Sequence, residues 1–179
     1  MKRNMAQRLA LMGLLLSLMI ILGYIEHLLP LDLGVPGIKL GLANSVLLFG
    51  LYMLGVKETF ILMALKVISP LLYNPGYLQT LIYSLSGALL SILGMLLIKQ
   101  IKGFSIIGVS IVGAVLHNLG QILMAIIVLN LRANIFMLYI AFLMLTGVVT
   151  GVLTGIAAKT IMKSLKVAPD KRLSDKPKS

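Results

Sequence analysis

The sequence predicts an all-α integral membrane protein, a bundle of six transmembrane helices with both termini on the cytoplasmic side. Three observations carry this expectation. Of 179 residues, 59% are hydrophobic and only 12% charged, with mean hydropathy +1.05, whereas a soluble domain carries about 25% charged residues. The apolar residues fall into six runs, each near the roughly 20 residues that cross a bilayer, which leaves short loops and no room for a soluble catalytic domain. The basic residues are unevenly placed along the chain, and their placement assigns the sides.

The first run, Leu9 to Ile25, follows Lys2, Arg3 and Arg8. It resembles a secretory leader, but Gly23-Tyr24-Ile25-Glu26-His27 offers no small-residue cleavage site, so the run is read as a retained span. Pro30, Asp32, Gly34 and Pro36 break the helix beyond it. The second span is expected over Ile38 to Leu54, with Lys57 and Glu58 as a short polar connection, and the third over Thr59 to Tyr73, ending at the turn-former Asn74-Pro75-Gly76. Span four covers Tyr77 to Ile98 and span five Phe104 to Leu131, long enough to tilt. Arg132-Ala133-Asn134 precedes span six, Ile135 to Met162. The domain reading is therefore a six-helix region over residues 1–162 and a polar, basic, disordered tail over 163–179.

With the N-terminus inside, the cytoplasmic segments hold Lys2, Arg3, Arg8, Lys57, Lys99, Lys102, Lys159, Lys163, Lys166, Lys171, Arg172, Lys176 and Lys178, 13 of the 16 basic residues. Lys39, Lys66 and Arg132 remain in or beside the outer half. The net charge of +11 thus reads as membrane topology and not as nucleic-acid binding, with the tail either near anionic headgroups or solvated and merely enforcing topology. With no cysteine and two histidines, disulfides, thiolate metal sites, iron–sulfur clusters and multi-histidine haem ligation are excluded. Nothing in the sequence asks for a cofactor or a metal.

Small residues at spacings of four let helices approach closely in lipid. Ala6, Ala10, Gly13 and Ser17 form such a stripe on span one, Ser84, Ala88, Ser91 and Gly94 or Met95 on span four, and Gly147, Gly151, Gly155 and Ala158 on span six. The last two are read as internal packing. The first begins at the cytoplasmic end, where it suits a partner.

Ionisable and strongly polar groups are costly in hydrocarbon and are functional candidates by default. Lys66 lies mid-span in the third run. His117, Asn118 and Gln121 cluster in the fifth, with His117 and Gln121 four apart on one face, and Asn44 lies a third of the way down the second. Converging, these five would form a substrate pocket open to the outside, rimmed by Glu26, Lys39, Gln79 and Arg132. The alternative for His117 and Asn118 is hydrogen bonding between helices, and for Lys66 snorkelling. Tyr24, Tyr73, Tyr77, Tyr83 and Tyr139 fall in the outer half and read as an interfacial belt.

The segment Gly37-Ile-Lys-Leu-Gly-Leu-Ala-Asn44, followed by Ser45-Val-Leu-Leu, and the later His117-Asn-Leu-Gly-Gln121 resemble the Gx transporter family, whose members often carry the name heptaprenyl diphosphate synthase component I. The resemblance covers about residues 6 to 162. That family is similar to the substrate-binding S components of energy-coupling factor (ECF) transporters, which implies a six-helix bundle that binds a small vitamin or precursor from outside. It also implies a transmembrane coupling subunit and two cytoplasmic ATPases as partners, docking on an alanine motif of the first helix. Ala6 and Ala10 match that motif, with Gly13 or Leu14 at its third position. The chain has no Walker motif, so ATP hydrolysis would belong to partners.

Taken literally, the synthase name calls for clustered aspartates that hold magnesium against diphosphate. The five acids, Glu26, Asp32, Glu58, Asp170 and Asp175, are scattered, so the chain is read as no enzyme. The alternative function is a noncatalytic membrane partner in prenyl diphosphate or quinone metabolism, or in flavin- or quinone-linked extracellular electron transfer. The first reading remains the uptake of a small anionic or carbonyl-rich substrate.

Overall fold

The computed structural model describes residues 4–28, 41–72, 78–101, 103–130 and 137–164, and among these every regular element is helical. Six α-helices follow in order: α1 (Met5–Leu28), α2 (Leu42–Met53), α3 (Val56–Ile68), α4 (Leu78–Gln100), α5 (Ile106–Leu129) and α6 (Met137–Ser164). A 3₁₀ turn, Ser69–Leu72, prolongs α3. Successive helices alternate in direction. α4, α5 and α6 pack side by side, α1 lies against α2 and α3, and α2 touches all five others.

Four helices are long and apolar enough to cross a membrane: α1, α4, α5 and α6. The expected second span is shorter than its apolar run. At 12 residues α2 is about 18 Å long, against roughly 30 Å of hydrocarbon. It starts after Gly41, whose φ of 85° is left-handed, and residues 29–40 lie outside the described ones. The connection to α3 is also tighter than expected. Gly55, at φ 121°, turns the chain by itself, so Lys57 and Glu58 join the first turn of α3 instead of forming a loop.

Pro70 removes a backbone donor, and the chain tightens to 3₁₀ from Ser69. Lys66 therefore lies in the last turn of α3, not mid-span, where its ammonium faces the negative end of the helix dipole. At the start of α5, Ser105 accepts a hydrogen bond from the Gly108 N–H at 3.2 Å. Asn130 closes α5 in the left-handed region. The tail expected from residue 163 begins with the end of α6, and residues 165–179 lie outside the described ones.

The main core surrounds α2, where Val46, Leu47, Leu48 and Leu51 meet Leu15 and Met19 of α1, Leu62 and Val67 of α3, Ala88 and Ile92 of α4, and Ala158 of α6. Tyr83 is 4% exposed and packs with Ile122, Ala125 and Leu143 in a second cluster. It belongs to the core and not to the expected tyrosine belt, whereas Tyr24 faces outward. Leu9, Leu14, Leu18 and Ile21 on α1 and Phe142, Leu145, Leu153 and Ile156 on α6 are exposed. So much outward apolar surface is far beyond what a soluble monomer shows, and it fits contact with lipid.

The glycine stripe on α6 is internal, as the sequence suggested. A Cβ on Gly151 would lie 2.6 Å from the Ile111 Cα, and one on Gly155 2.7 Å from the Ile107 Cα. The hydroxyls beside the stripe turn back to their own helix: Thr150 donates to the Thr146 carbonyl at 2.9 Å and Thr154 to the Thr150 carbonyl at 2.7 Å. Close backbone contact is thus reached with no donor left over.

Candidate functional site

The polar candidates come together from the first turn of α2, the last turn of α3, the first two-thirds of α4 and the middle of α5. On α4 the face Ser84–Gly87–Ser91 forms the spine, about 10 Å long at 1.5 Å per residue. Lys66 approaches Ser84, with its Nζ 3.5 Å from the Ser84 Oγ. One turn further in, the His117 ring lies between Gly87 and Gly41: a Cβ on Gly87 would fall 2.8 Å from Nδ1, and one on Gly41 2.7 Å from Cδ2. Gln121 packs on Gly87 from the same face of α5. Another turn in, Asn44 donates from Nδ2 to the Ser91 Oγ at 2.8 Å. Lys66, His117, Asn44 and Gln121 are all buried.

The structure therefore gathers a column of polar groups, drawn from four helices, running from Lys66 and Ser84 to Asn44 and Ser91. Asn118 does not join it. One residue along α5 from His117, it is turned about 100° away and donates to the Leu143 carbonyl of α6 at 2.7 Å. This is the interhelical alternative raised above. That bond fixes the amide orientation, because a carbonyl only accepts.

Asn44 Oδ1 and Asn118 Oδ1 are buried with no hydrogen-bond partner among the described residues. Leaving such an atom unsatisfied costs about 1–3 kcal/mol.

Of the expected rim, Glu26 is buried, 9% exposed, and its Oε1 accepts the Leu42 N–H at 2.8 Å. It thereby caps the N-terminus of α2, which has no side-chain cap of its own. Lys39 and Arg132 lie outside the described residues, and Gln79 lies on α4 with its side chain outside the described atoms. Ala6, Ala10 and Gly13 are exposed along α1, and nothing lies within 4 Å of a Cβ built on Gly13. Ser17 turns its hydroxyl to the Gly13 carbonyl at 2.9 Å.

Sequence reasoning missed the α4 side of the column. Ser84 and Ser91 were visible only as members of a small-residue stripe, and Gly87 not at all. A serine that lines a polar column has the same spacing as one that packs, so the strand of logic that finds Lys66 in an apolar run does not find Ser84. The roles of Arg8 and Lys99 were missed too. At the opposite end of α2, Arg8 donates from Nη2 to the Leu54 carbonyl at 3.2 Å and pairs with Glu58 at 2.9 Å. Lys99 donates to the Leu51 carbonyl at 3.2 Å, its Nζ 4.5 Å from the centre of the Tyr52 ring. Among the described residues no group of three or more metal-ligating side chains comes together.

Four long apolar helices and a buried polar column define a helical membrane protein. The chain belongs to the heptaprenyl diphosphate synthase component I family, whose model matches residues 15–161. No curated protein and no solved structure matches it. Both segments that carried the resemblance meet in the column, since Gly41 and Asn44 of the first face His117 and Ser91.

Proposed function

We propose that the protein is a membrane-embedded substrate-binding subunit, similar to an ECF S component, which captures a small anionic or carbonyl-rich molecule at its outer face. The observation that carries this reading is the convergence of Lys66, His117, Gln121 and Asn44 from three helices onto the Ser84–Gly87–Ser91 face of a fourth. An acceptor group on the ligand would add a charge-assisted hydrogen bond to the buried Lys66 ammonium. The free Asn44 Oδ1 favours a ligand that also carries an N–H or O–H donor. Asn118 contributes through the α5–α6 contact that holds His117 in place.

The orientation in this reading follows the basic residues, with both termini cytoplasmic and the Lys66 end outside. The docking surface is α1. Its stripe matches the α6 stripe in having small residues with a back-bonded hydroxyl beside them, but the α6 stripe is covered by α5 and the α1 stripe is open. A transmembrane helix of a coupling subunit, carrying two ATPases beneath it, fits that face. The family description favours a second reading, in which the chain is a noncatalytic membrane component beside a prenyl diphosphate synthase.

A thermal-shift screen of the purified protein against vitamins, flavins, quinones and isoprenoid diphosphates tests the reading. Lys66→Met keeps the length of the stem and removes the charge. It is expected to cost the stabilising ligand at least about tenfold in affinity, the loss of one charge-assisted hydrogen bond of about 1.5–3 kcal/mol, with membrane insertion unchanged. Unchanged affinity removes Lys66 from the site. Stabilisation by isoprenoid diphosphates alone favours the second reading.

A further inference from the structure

Both ends of α2 are held by side chains of α1. At one end the Glu26 carboxyl takes the Leu42 N–H, and at the other Arg8 takes the Leu54 carbonyl and the Glu58 carboxyl. The two anchors lie about 27 Å apart along α1 at 1.5 Å per residue. Between them Leu15, Met19, Gly23 and Glu26 of its 24 residues are buried, and Leu11, Met12, Leu16 and Leu22 pack partly buried against the core. The two polar anchors tie α1 to the two ends of α2.

Each anchor bears on a surface of interest. Leu42 follows Gly41, and Gly41 is in contact with the His117 ring of the polar column. Arg8 lies two residues from both Ala6 and Ala10, about 160° round the helix from each, so it holds the side of α1 opposite the open stripe and sets which way the stripe faces. α2 itself is short and rigidly packed, with eight of its 12 residues buried, so a displacement of its first turn is not absorbed along its length.

We propose that α1 is a two-point lever on α2: its Glu26 anchor senses the position of the α2 N-terminus beside the polar column, and its Arg8 anchor carries that state to the small-residue face. A group entering the column against His117 and Gly41 shifts the Leu42 N–H relative to Glu26. With that anchor changed, α1 re-seats about Arg8, and the presentation of Ala6, Ala10 and Gly13 changes with it. The functional meaning rests on the substrate-binding reading above, but the mechanical coupling does not.

Hydrogen exchange on the full-length protein in lipid nanodiscs, without any ligand, tests the coupling. Glu26→Leu removes the outer anchor, and Glu26→Gln keeps an acceptor in place. Glu26→Leu is expected to speed exchange about fivefold or more in residues 5–12 and 54–58 at the far end, with Glu26→Gln closer to the parent. Because coupling is reciprocal, Arg8→Met is expected to speed exchange over residues 42–45. Exchange across Ile107–Ile111, where α6 packs on α5, stays unchanged. Effects confined to the mutated end overturn the lever, and so does acceleration spread evenly over all six helices. Since no ligand is present, a failed ligand screen leaves this result standing, and a failed lever leaves the ligand screen standing.

Discussion

Replacing Gly87 with alanine places a methyl group where α4 and α5 meet. The added Cβ lies 2.7 Å from the His117 carbonyl oxygen and 2.8 Å from both the Gln121 Cγ and the His117 Nδ1, while ordinary contact begins near 3.4 Å. The side-chain atoms can swing aside, but the carbonyl oxygen is backbone. The helices must therefore separate by about 0.7 Å at this level, which also stretches the 2.9 Å bond from the Ser86 hydroxyl to the Gly120 carbonyl. Overpacking of this kind costs about 1–3 kcal/mol, and alanine returns up to about 1 kcal/mol in helix propensity. The net loss is about 1–2 kcal/mol, or a fall in Tm of about 2–8 °C for a chain of this size. Gly13→Ala is the matched control, since a Cβ there meets nothing within 4 Å, and it is expected to leave Tm unchanged or raised. Both variants are measured by thermal unfolding in the same detergent. If Gly87→Ala is as stable as Gly13→Ala, the α4–α5 contact is looser than described and His117 is not held by it.

Gly41→Ala combines left-handed strain with a 2.7 Å approach to the His117 Cδ2. It is expected to lower stability by about 1–3 kcal/mol, and a double-mutant cycle with His117→Ala should recover the steric part, so strict additivity counts against the contact. The proposed orientation is tested with single cysteines in this cysteine-free chain. His27→Cys should react with an impermeant maleimide from outside intact cells and Asn4→Cys should not; the reverse pattern inverts the topology. Leucine at both Ala6 and Ala10 should abolish co-purification of a coupling subunit and its ATPases, together with uptake, while leaving Tm within about 1 °C, as both positions are exposed. Retained assembly in that variant removes the α1 stripe as the docking surface.

Much of the architecture was readable in the sequence because hydropathy reports directly on lipid contact: α1, α4, α5 and α6 lie close to their apolar runs. The limits of α2 were not readable. Nothing in the local pattern marks Gly41 as the left-handed residue before α2, since that backbone conformation is a property of the fold. The chemistry of the site was half readable for a related reason. Lys66, Asn44, His117 and Gln121 stand out against apolar neighbours, and the structure brings them together, but the serines and glycine of α4 that they meet look like packing residues. Asn118 and His117 are adjacent in sequence and were grouped together, and the 100° step between helix neighbours sends them to different helices. Glu26, Arg8 and Lys99 illustrate a different limit. Their positions near membrane edges were clear, but capping the backbone of another helix is a tertiary property with no local pattern.

The short central helix has a consequence for how the protein is made. α2 is only 12 residues long, and side chains of α1 and α4 meet backbone groups near its two ends. Glu26 and Arg8 are synthesised before it, but Lys99 follows the end of α2 by more than 40 residues. During translation the α2–α3 hairpin therefore enters the bilayer with the Leu51 carbonyl end still uncapped, and it settles only when α4 arrives. Chains truncated before Lys99 should remain sensitive to the quality-control proteases of the membrane, and resistance should appear once α4 has been inserted.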